Sequence, residues 1–479
     1  MTRLVVGPFN RVEGDLEVRL DVADGRVHSA EVSASLYRGF ETMLLGKDPL
    51  DALVIVPRIC GICSVSQSAA AAAALADAVG LVMPANGRLA KNLVQACENI
   101  ADHLTHFYCF FMPDFARDNY AGAPWHAGIA ERFRAQRGSA LGDYLPARAD
   151  FLRVMGYLAG KWPHTLALQP GGTTRAITAT EVVRLREVLR EFRAFVERHL
   201  LGDTLANFSA LDSLAALADW AAPRQSDLAR FVRIALELGL ERVGRAGDRF
   251  LAVGAYAGIA GPLFPAGVWR GAAEAFDPEA VREDVSHAWL AGAAALPPAR
   301  GETRPQLDDK DGAYTWCKAP RYGGEVIETG ALARQLLAAQ PLVGDLVATH
   351  GGSVLARIVA RMIEVARLLP QMEAWLHEIV PGSPFCIEWQ APEAATGVGL
   401  VEAARGALGH WLRIERGKIA SYQIIAPTTW NFSPRDAAGQ PGALEQALVG
   451  LPVADGDASP VLVQHVVRSF DPCMVCTVH

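Results

Sequence analysis

The sequence lacks what several large protein classes require. It contains no uninterrupted apolar run of about eighteen residues, the least that spans a bilayer as a helix. The Ala-rich stretch 69–76 is too short and ends at Asp77, so no membrane span is expected. No leader of the secretory kind opens it: Met1–Gly14 carries Arg3 and Arg11 around a short apolar stretch and reads as a strand. Excess positive charge is also missing. With 45 Lys and Arg against 52 Asp and Glu, the net charge is -7, which argues against a nucleic-acid partner and matches ordinary solubility. Cysteine is sparse, 8 in 479 residues, too few for a disulfide scaffold. Internal repeats and low-complexity segments are absent.

What is present is hydrophobic content of 51% over 479 residues, enough for a large core. Length alone allows two or three domains or one large one. Residues 3–40 alternate apolar and polar around Asp24-Gly25, a hairpin signal. From Leu89 to Phe111 the apolar residues recur at three- and four-residue spacing, as in one long amphipathic helix. Val182–Leu200 and Val354–Ile379 repeat the pattern, and helices this long usually pack as a bundle. Gly/Pro-rich breaks fall at 170–172, 261–267 and 297–305. Trp411–Ile425 alternates again, and 437–460 is loop-like. The expected fold is mainly α (α+β), a long-helix bundle core with small β elements near both ends. It is read as a single domain, 1–479, with a β element at about 3–40, a helical core at about 50–380 and a mixed region with the second cysteine pair at about 381–479.

Four of the eight cysteines form two Cys-x-x-Cys pairs, Cys60/Cys63 and Cys473/Cys476. Such pairs can supply four thiolates to one metal. They can equally be a zinc ribbon, a redox dithiol, or unrelated buried cysteines. Zinc-ribbon pairs usually lie roughly 15–20 residues apart, and here nearly the whole chain intervenes. A thioredoxin-like pair needs a βαβ setting that neither has. Thiolates favour zinc, copper(I), nickel or iron–sulfur clusters, and spacing does not choose among them. Cys97, Cys109, Cys317 and Cys386 are isolated and by default are small buried hydrophobes.

The residues around the pairs add more. Arg58-Ile59-Cys60-Gly61-Ile62-Cys63 and the closing Asp471-Pro472-Cys473-Met474-Val475-Cys476-Thr477-Val478-His479 resemble the two signature motifs of NiFe hydrogenase large subunits. Arg11-Val12-Glu13-Gly14, Arg38-Gly39-Phe40-Glu41, Asp102-His103, Lys318-Ala319-Pro320-Arg321-Tyr322, Arg405-Gly406 and Pro427-Thr428-Thr429-Trp430-Asn431 match in family order, while 205–300 match only loosely. Complex I relatives share the fold but lack the four cysteines.

The resemblance implies a Ni–Fe centre whose iron carries CO and cyanide. Cys60 and Cys473 would be terminal nickel ligands, and Cys63 and Cys476 would bridge to iron. Arg405 would overhang the open side of nickel, held by Asp102 and Asp471, with Thr428 donating to a cyanide. Taken alone, such residues are more often helix-face ion pairs or caps. Glu13 would take a proton from Cys473, which needs a carboxyl with a raised pKa; a lone strand Glu is ordinarily solvated. Cys473 and Arg405 are both candidate bases. Glu41 and His479 match ligands of a magnesium or similar divalent cation, joined by a carbonyl near Ile425. His410, His103 and His106 read as packing or supporting residues. Implied partners are H2, a small Fe–S subunit and maturation proteins.

The chain departs from the usual pattern at several places. Gln67 stands where His is common, Asp15 where His follows Glu-Gly, and Ala404 where Pro precedes Arg405. The run Cys60–Gln67 resembles the regulatory, H2-sensing branch. Ile62 replaces a common Val and Phe110 a common Leu on the implied gas route, narrowing it against O2 by volume. The chain ends at His479, whereas most family precursors carry a C-terminal extension that sensor types commonly lack. The expectation is therefore a cytoplasmic, O2-tolerant H2 sensor of low turnover that signals to a histidine kinase, with a respiratory uptake hydrogenase as the alternative.

Overall fold

A computed structural model describes residues 2–259, 261–292, 294–306 and 308–479. The chain opens with an antiparallel sheet of β1 (Thr2–Val6), β2 (Leu16–Ala23) and β3 (Arg26–Ala34) in that order. Asp24 and Gly25 both take positive φ, 52° and 69°, the backbone of a tight turn whose twist matches its strands. Leu16, Val18 and Leu20 point inward from β2 and are buried.

The principal helices of the first half are α1 (Ser64–Ala78), α2 (Ala85–Thr105) and α3 (Ala179–Phe195). Later come α4 (Val354–Glu378) and α5 (Val461–Ser469). The run expected as one helix from Leu89 to Phe111 is α2 followed by a π-helical turn, His106–Phe111. A second π turn, Val196–Leu201, ends the run of α3. Helix α4 packs on α2, α3 and α5, so the bundle is present.

β-structure is more extensive than the periodicity indicated, about 45% helix with 20% strand. Strands β4 (Phe250–Gly258) and β5 (Gly261–Trp269) form a four-stranded sheet with Glu328–Thr329 and Ala273–Glu274 inside the region expected to be helical. The expected break at 261–267 is thus a strand. Among the described residues only its end, at Val268 and Trp269, has a neighbour on the far side, so Pro262 and Pro265 lie on an open edge, where proline's missing donor costs little. Ala443–Leu448 is a short helix within the expected loop 437–460.

The C-terminal meander is β6 (Ala394–Ala403), β7 (Gly406–Glu415) and β8 (Lys418–Ile425). It explains the Ala-rich stretch. A Cβ at Gly397 or Gly399 would lie 2.0 Å from the carbonyl oxygens of Ala74 and Ala70. Strand and helix backbones therefore press together through alanine on one side and glycine on the other. This contact fixes α1, whose N-terminus carries the first cysteine pair. One hydrophobic cluster runs from Val6 to Val478 and includes all four paired cysteines.

Candidate metal centre

The first pair sits at a change of backbone direction. A short 3-10 turn, Val56–Ile59, ends at an extended Cys60, and Cys63 is the residue from which α1 starts. The amides at that helix start are satisfied from outside: the buried Glu98 of α2 accepts from Val65 N (2.8 Å) and Ser66 N (2.9 Å), and from Trp162 Nε1 (3.0 Å). Burial pushes Glu98 up to about 7. Its signal in the sequence is an acid on the apolar side of a helix.

The second pair is brought to the first by the N-terminal segment. Glu13 bridges to Cys473 in parallel register, with Met474 N donating to Glu13 O at 2.7 Å. A side chain at Gly14 (φ 81°) would meet Val475 N at 3.0 Å, so glycine permits this crossing. Arg38 ties both pairs, donating to Ile59 O at 2.6 Å and to Val475 O.

The four sulfurs converge. Cys63 and Cys476 lie 3.1 Å apart, Cys473 and Cys476 3.1 Å, and Cys60 and Cys473 3.6 Å, with all four within 4.8 Å of one another. All four residues are buried. These separations are too long for a disulfide and close to the edge, about 3.7 Å, of a tetrahedron of thiolates about 2.3 Å from one metal. The electrostatics point the same way. The hydrogen bond with Cys473 holds Cys60 well below the usual thiol range and pushes Cys63 and Cys476 well above it. Four thiols this close share negative charge poorly; a cation among them relieves the conflict.

Arg405 comes in over this cluster from the β6–β7 turn. Its Nη1 donates to Asp102 Oδ2 (2.5 Å), Nη2 to Asp102 Oδ1 (3.0 Å) and Asp471 Oδ1 (3.1 Å), and Nε to Asp471 O (3.0 Å). Gly406 (φ 130°) lies so near Thr329 and Gly330 that a Cβ would clash at 2.5–2.7 Å. Burial works against Asp471, but Arg405, then His106 and Arg361, hold its carboxyl below the ordinary value. Asp102 moves the other way, up to about 8, first through burial. Two carboxylates share one guanidinium, and the second ionises at a cost. Burial, then the charge of Cys60, raises the half-buried Glu13. Thr428 Oγ1 accepts from Cys473 N at 3.3 Å, leaving its own proton free to donate.

The match to known proteins follows this geometry. A family model described as nickel-dependent hydrogenase matches residues 38–118 and 140–479. The chain belongs to that family. It is 32% identical to the periplasmic [NiFeSe] hydrogenase large subunit of Desulfomicrobium baculatum, over all of this chain and 95% of that one. To the hydrogenase-2 large chain of Escherichia coli it is 27% identical, over 100% and 97%. The solved Ni-Fe-Se hydrogenase of D. vulgaris Hildenborough superposes with a TM-score of 0.84 at 31% identity, covering both chains completely. The Desulfomicrobium and D. vulgaris relatives are named for selenium; this hydrogenase chain has cysteine at all four positions of its cluster.

The remaining expected residues fall into three places. Gln67, one turn beyond Cys63, contacts His410 Nε2 at 2.9 Å, and His410 Nδ1 contacts Tyr422 OH at 2.8 Å. Burial lowers His410 to about 3, so it is neutral, and an Nε2–H tautomer satisfies both neighbours. Ile62 packs partly buried against the core and donates its amide to Cys60 Sγ at 3.3 Å. Phe110 lies in the π turn after α2, its carbonyl accepting from Arg11. Glu41 and His479 meet at 3.2 Å beneath the cluster, with His479 Nδ1 3.0 Å from Cys476 O.

Around Glu41 the structure adds residues beyond those expected at the site. Lys318 Nζ lies 3.3 Å from Glu41, 3.4 Å from Glu283 and 2.7 Å from Gln423 Oε1, and Ile424 N donates to Glu41 at 2.7 Å. Burial opposes ionisation of Glu41, yet Lys318 and then His479 hold it down to about 2. Glu283 Oε1 is buried without a hydrogen-bond partner. Oxygen donors are thus available to a hard cation, next to an ammonium that already supplies one positive charge.

Proposed function

We propose that this chain is the catalytic subunit of an H2-converting complex, cleaving and forming H2 heterolytically, with electrons passing to a small Fe–S subunit. The observation that carries the reading is the buried four-thiol cluster beneath Arg405. Cys60, Cys63, Cys473 and Cys476 would hold the centre, with Cys63 and Cys476 as the bridging pair. Bound there, a nickel–iron centre with CO and cyanide on iron supplies the redox chemistry. The protein's part is electrostatic and protonic. Asp102 and Asp471 orient Arg405 while one Nη1–H stays unengaged, Thr428 offers a hydroxyl proton, and burial keeps bulk water away. Cys473 and Arg405 are the candidate bases, and Glu13, with its raised pKa, is the next proton acceptor. Glu41 and His479 would hold magnesium, with Lys318 and Glu283 around it. Maturation proteins would install the iron ligands.

Within the family we favour an O2-tolerant, low-turnover H2 sensor in the cytoplasm that signals to a histidine kinase. Gln67, Ile62 and Phe110 support this. The similarity to uptake hydrogenase large subunits, 26% identity for that of Rubrivivax gelatinosus, keeps respiratory uptake as the second reading. Infrared spectra of the purified complex, first in air and then under H2, test both levels. CO and cyanide bands that shift promptly under H2 support the sensor. Bands that respond only after long reductive activation favour uptake. No bands in nickel-replete protein overturns the catalytic assignment. Ile62→Val with Phe110→Leu should make the site O2-sensitive, and unchanged activity under air would remove the gas-route argument.

A further inference from the structure

A cavity of about 500 Å³ opens away from the cysteines, between the first turns of α2, strand β4 and strand β6. Met83, Val253, Tyr256 and Leu400 line it, together with two cations, Arg88 and Lys91. The volume is within the range of small-molecule sites, and an apolar wall with a few polar groups is their usual make-up.

Unlike several buried arginines, these two half-buried cations meet no carboxylate among the described residues. Arg321, Arg334, Arg357 and Arg405 each meet a carboxylate within about 3 Å. Arg88 has a buried Nε with no hydrogen-bond partner. Lys91 is partly buried, and burial alone lowers its pKa, with no neighbouring charge to offset it. The one carboxylate among the lining residues, Glu402, is committed elsewhere, to Arg334 Nη1 at 2.6 Å and Val253 N at 2.7 Å. The position compounds the cost. Arg88 and Lys91 stand in the first two turns of α2, which has no acidic residue in its first turn and no side-chain cap, and a helix N-terminus disfavours cations. Two cations without a carboxylate partner thus face an apolar wall near the positive end of a helix, an arrangement that an anion would complement.

We propose that this cavity binds an amphipathic small-molecule anion, a carboxylate or phosphate on an aliphatic body, with Arg88 and Lys91 receiving the head and Met83, Val253 and Leu400 the body. The site is independent of H2 chemistry and stands whether or not the functional reading above holds.

The test uses the intact complex in calorimetric titrations with octanoate and octyl phosphate, and with octanol as the uncharged control. Saturable binding of either anion, at least tenfold tighter than octanol, is expected, and the tighter of the two identifies the head group. Arg88→Gln and Lys91→Gln should each weaken binding at least tenfold, about 1.4 kcal/mol, with H2 turnover unchanged. On the unmodified protein, the bound anion should also shield Lys91 from an amine-acylating reagent, read by peptide mass. Absence of saturable binding, equal binding of octanol, or undiminished acylation of Lys91 at saturating anion overturns the proposal.

Discussion

Two fully buried arginines are clamped between pairs of carboxylates, and they serve different ends. Arg334 donates to Glu364 through Nε and Nη2, to Glu402 through Nη1, and to the carbonyls of Ala403 and Ala404. All five of its N–H groups are used. Arg405 uses four and keeps one beside the thiols. A saturated guanidinium fastens structure; one with a spare donor next to a reactive cluster is free to act on what binds there. The two are also joined. Arg334 holds the carbonyls just before Arg405, and its partner Glu364 also contacts His103, the residue after Asp102, at 3.1 Å. The fastener thus fixes both halves of the Asp102–Arg405 pair.

The sharpest way to break this comparison is Arg334→Met. It leaves Glu364 and Glu402 buried without their cation, which costs ~3–5 kcal/mol. Urea unfolding should show that loss, and an unchanged midpoint would mean that the saturated clamp is not structural. Arg405→Lys keeps the charge and removes the fork. H2 turnover should fall ~10²–10³-fold with nickel content retained and a smaller loss of stability than Arg334→Met. If turnover and unfolding midpoint drop together to the same extent, the distinction between the two arginines collapses.

A subtler test uses pH. Burial raises Glu402 to about 7 despite Arg334. The folded state therefore holds this proton more tightly than the unfolded chain, where the value is near 4.5. The stabilisation is complete below about 4.5 and is lost as pH rises to about 7, at most about 1.4 kcal/mol per pH unit. Glu402→Gln should flatten the stability profile across that window; an unaltered slope would show that Glu402 is ionised throughout. The smallest expected effect is that of Thr428→Val, which leaves Cys473 N without its acceptor and should cost ~1 kcal/mol in the same urea experiment.

Much of the metal centre was legible because its residues lie in short contiguous blocks: Cys60 with Cys63, Asp471 with Cys473 and Cys476, Arg405 beside Gly406. The supporting groups were not, because each acts on a different element of the chain, from 32 to 383 positions away. Glu98 serves α1 from within α2, and Lys318 links Glu41 to Glu283 and Gln423, which lie on separate strands. The same divide holds for the fold. The β2–β3 hairpin and the long helices announce themselves by local periodicity and turn chemistry. Strand β5 does not, because Pro262 and Pro265 are breakers unless an open edge receives them. Strand β6 does not either, because Gly397 and Gly399 answer to the backbone of α1 rather than to strand preference.

The paired sulfurs Cys60–Cys473 and Cys63–Cys476 are each separated by 413 positions in sequence. During synthesis the first pair leaves the ribosome long before the second exists. Throughout that interval Cys60 and Cys63 are a lone dithiol, able to take up the wrong metal or to oxidise. The parallel crossing of Glu13 and Cys473 can form only once the segment carrying Cys473 has been made. The complete four-thiol cluster is thereby available only once Cys473 and Cys476 have been made.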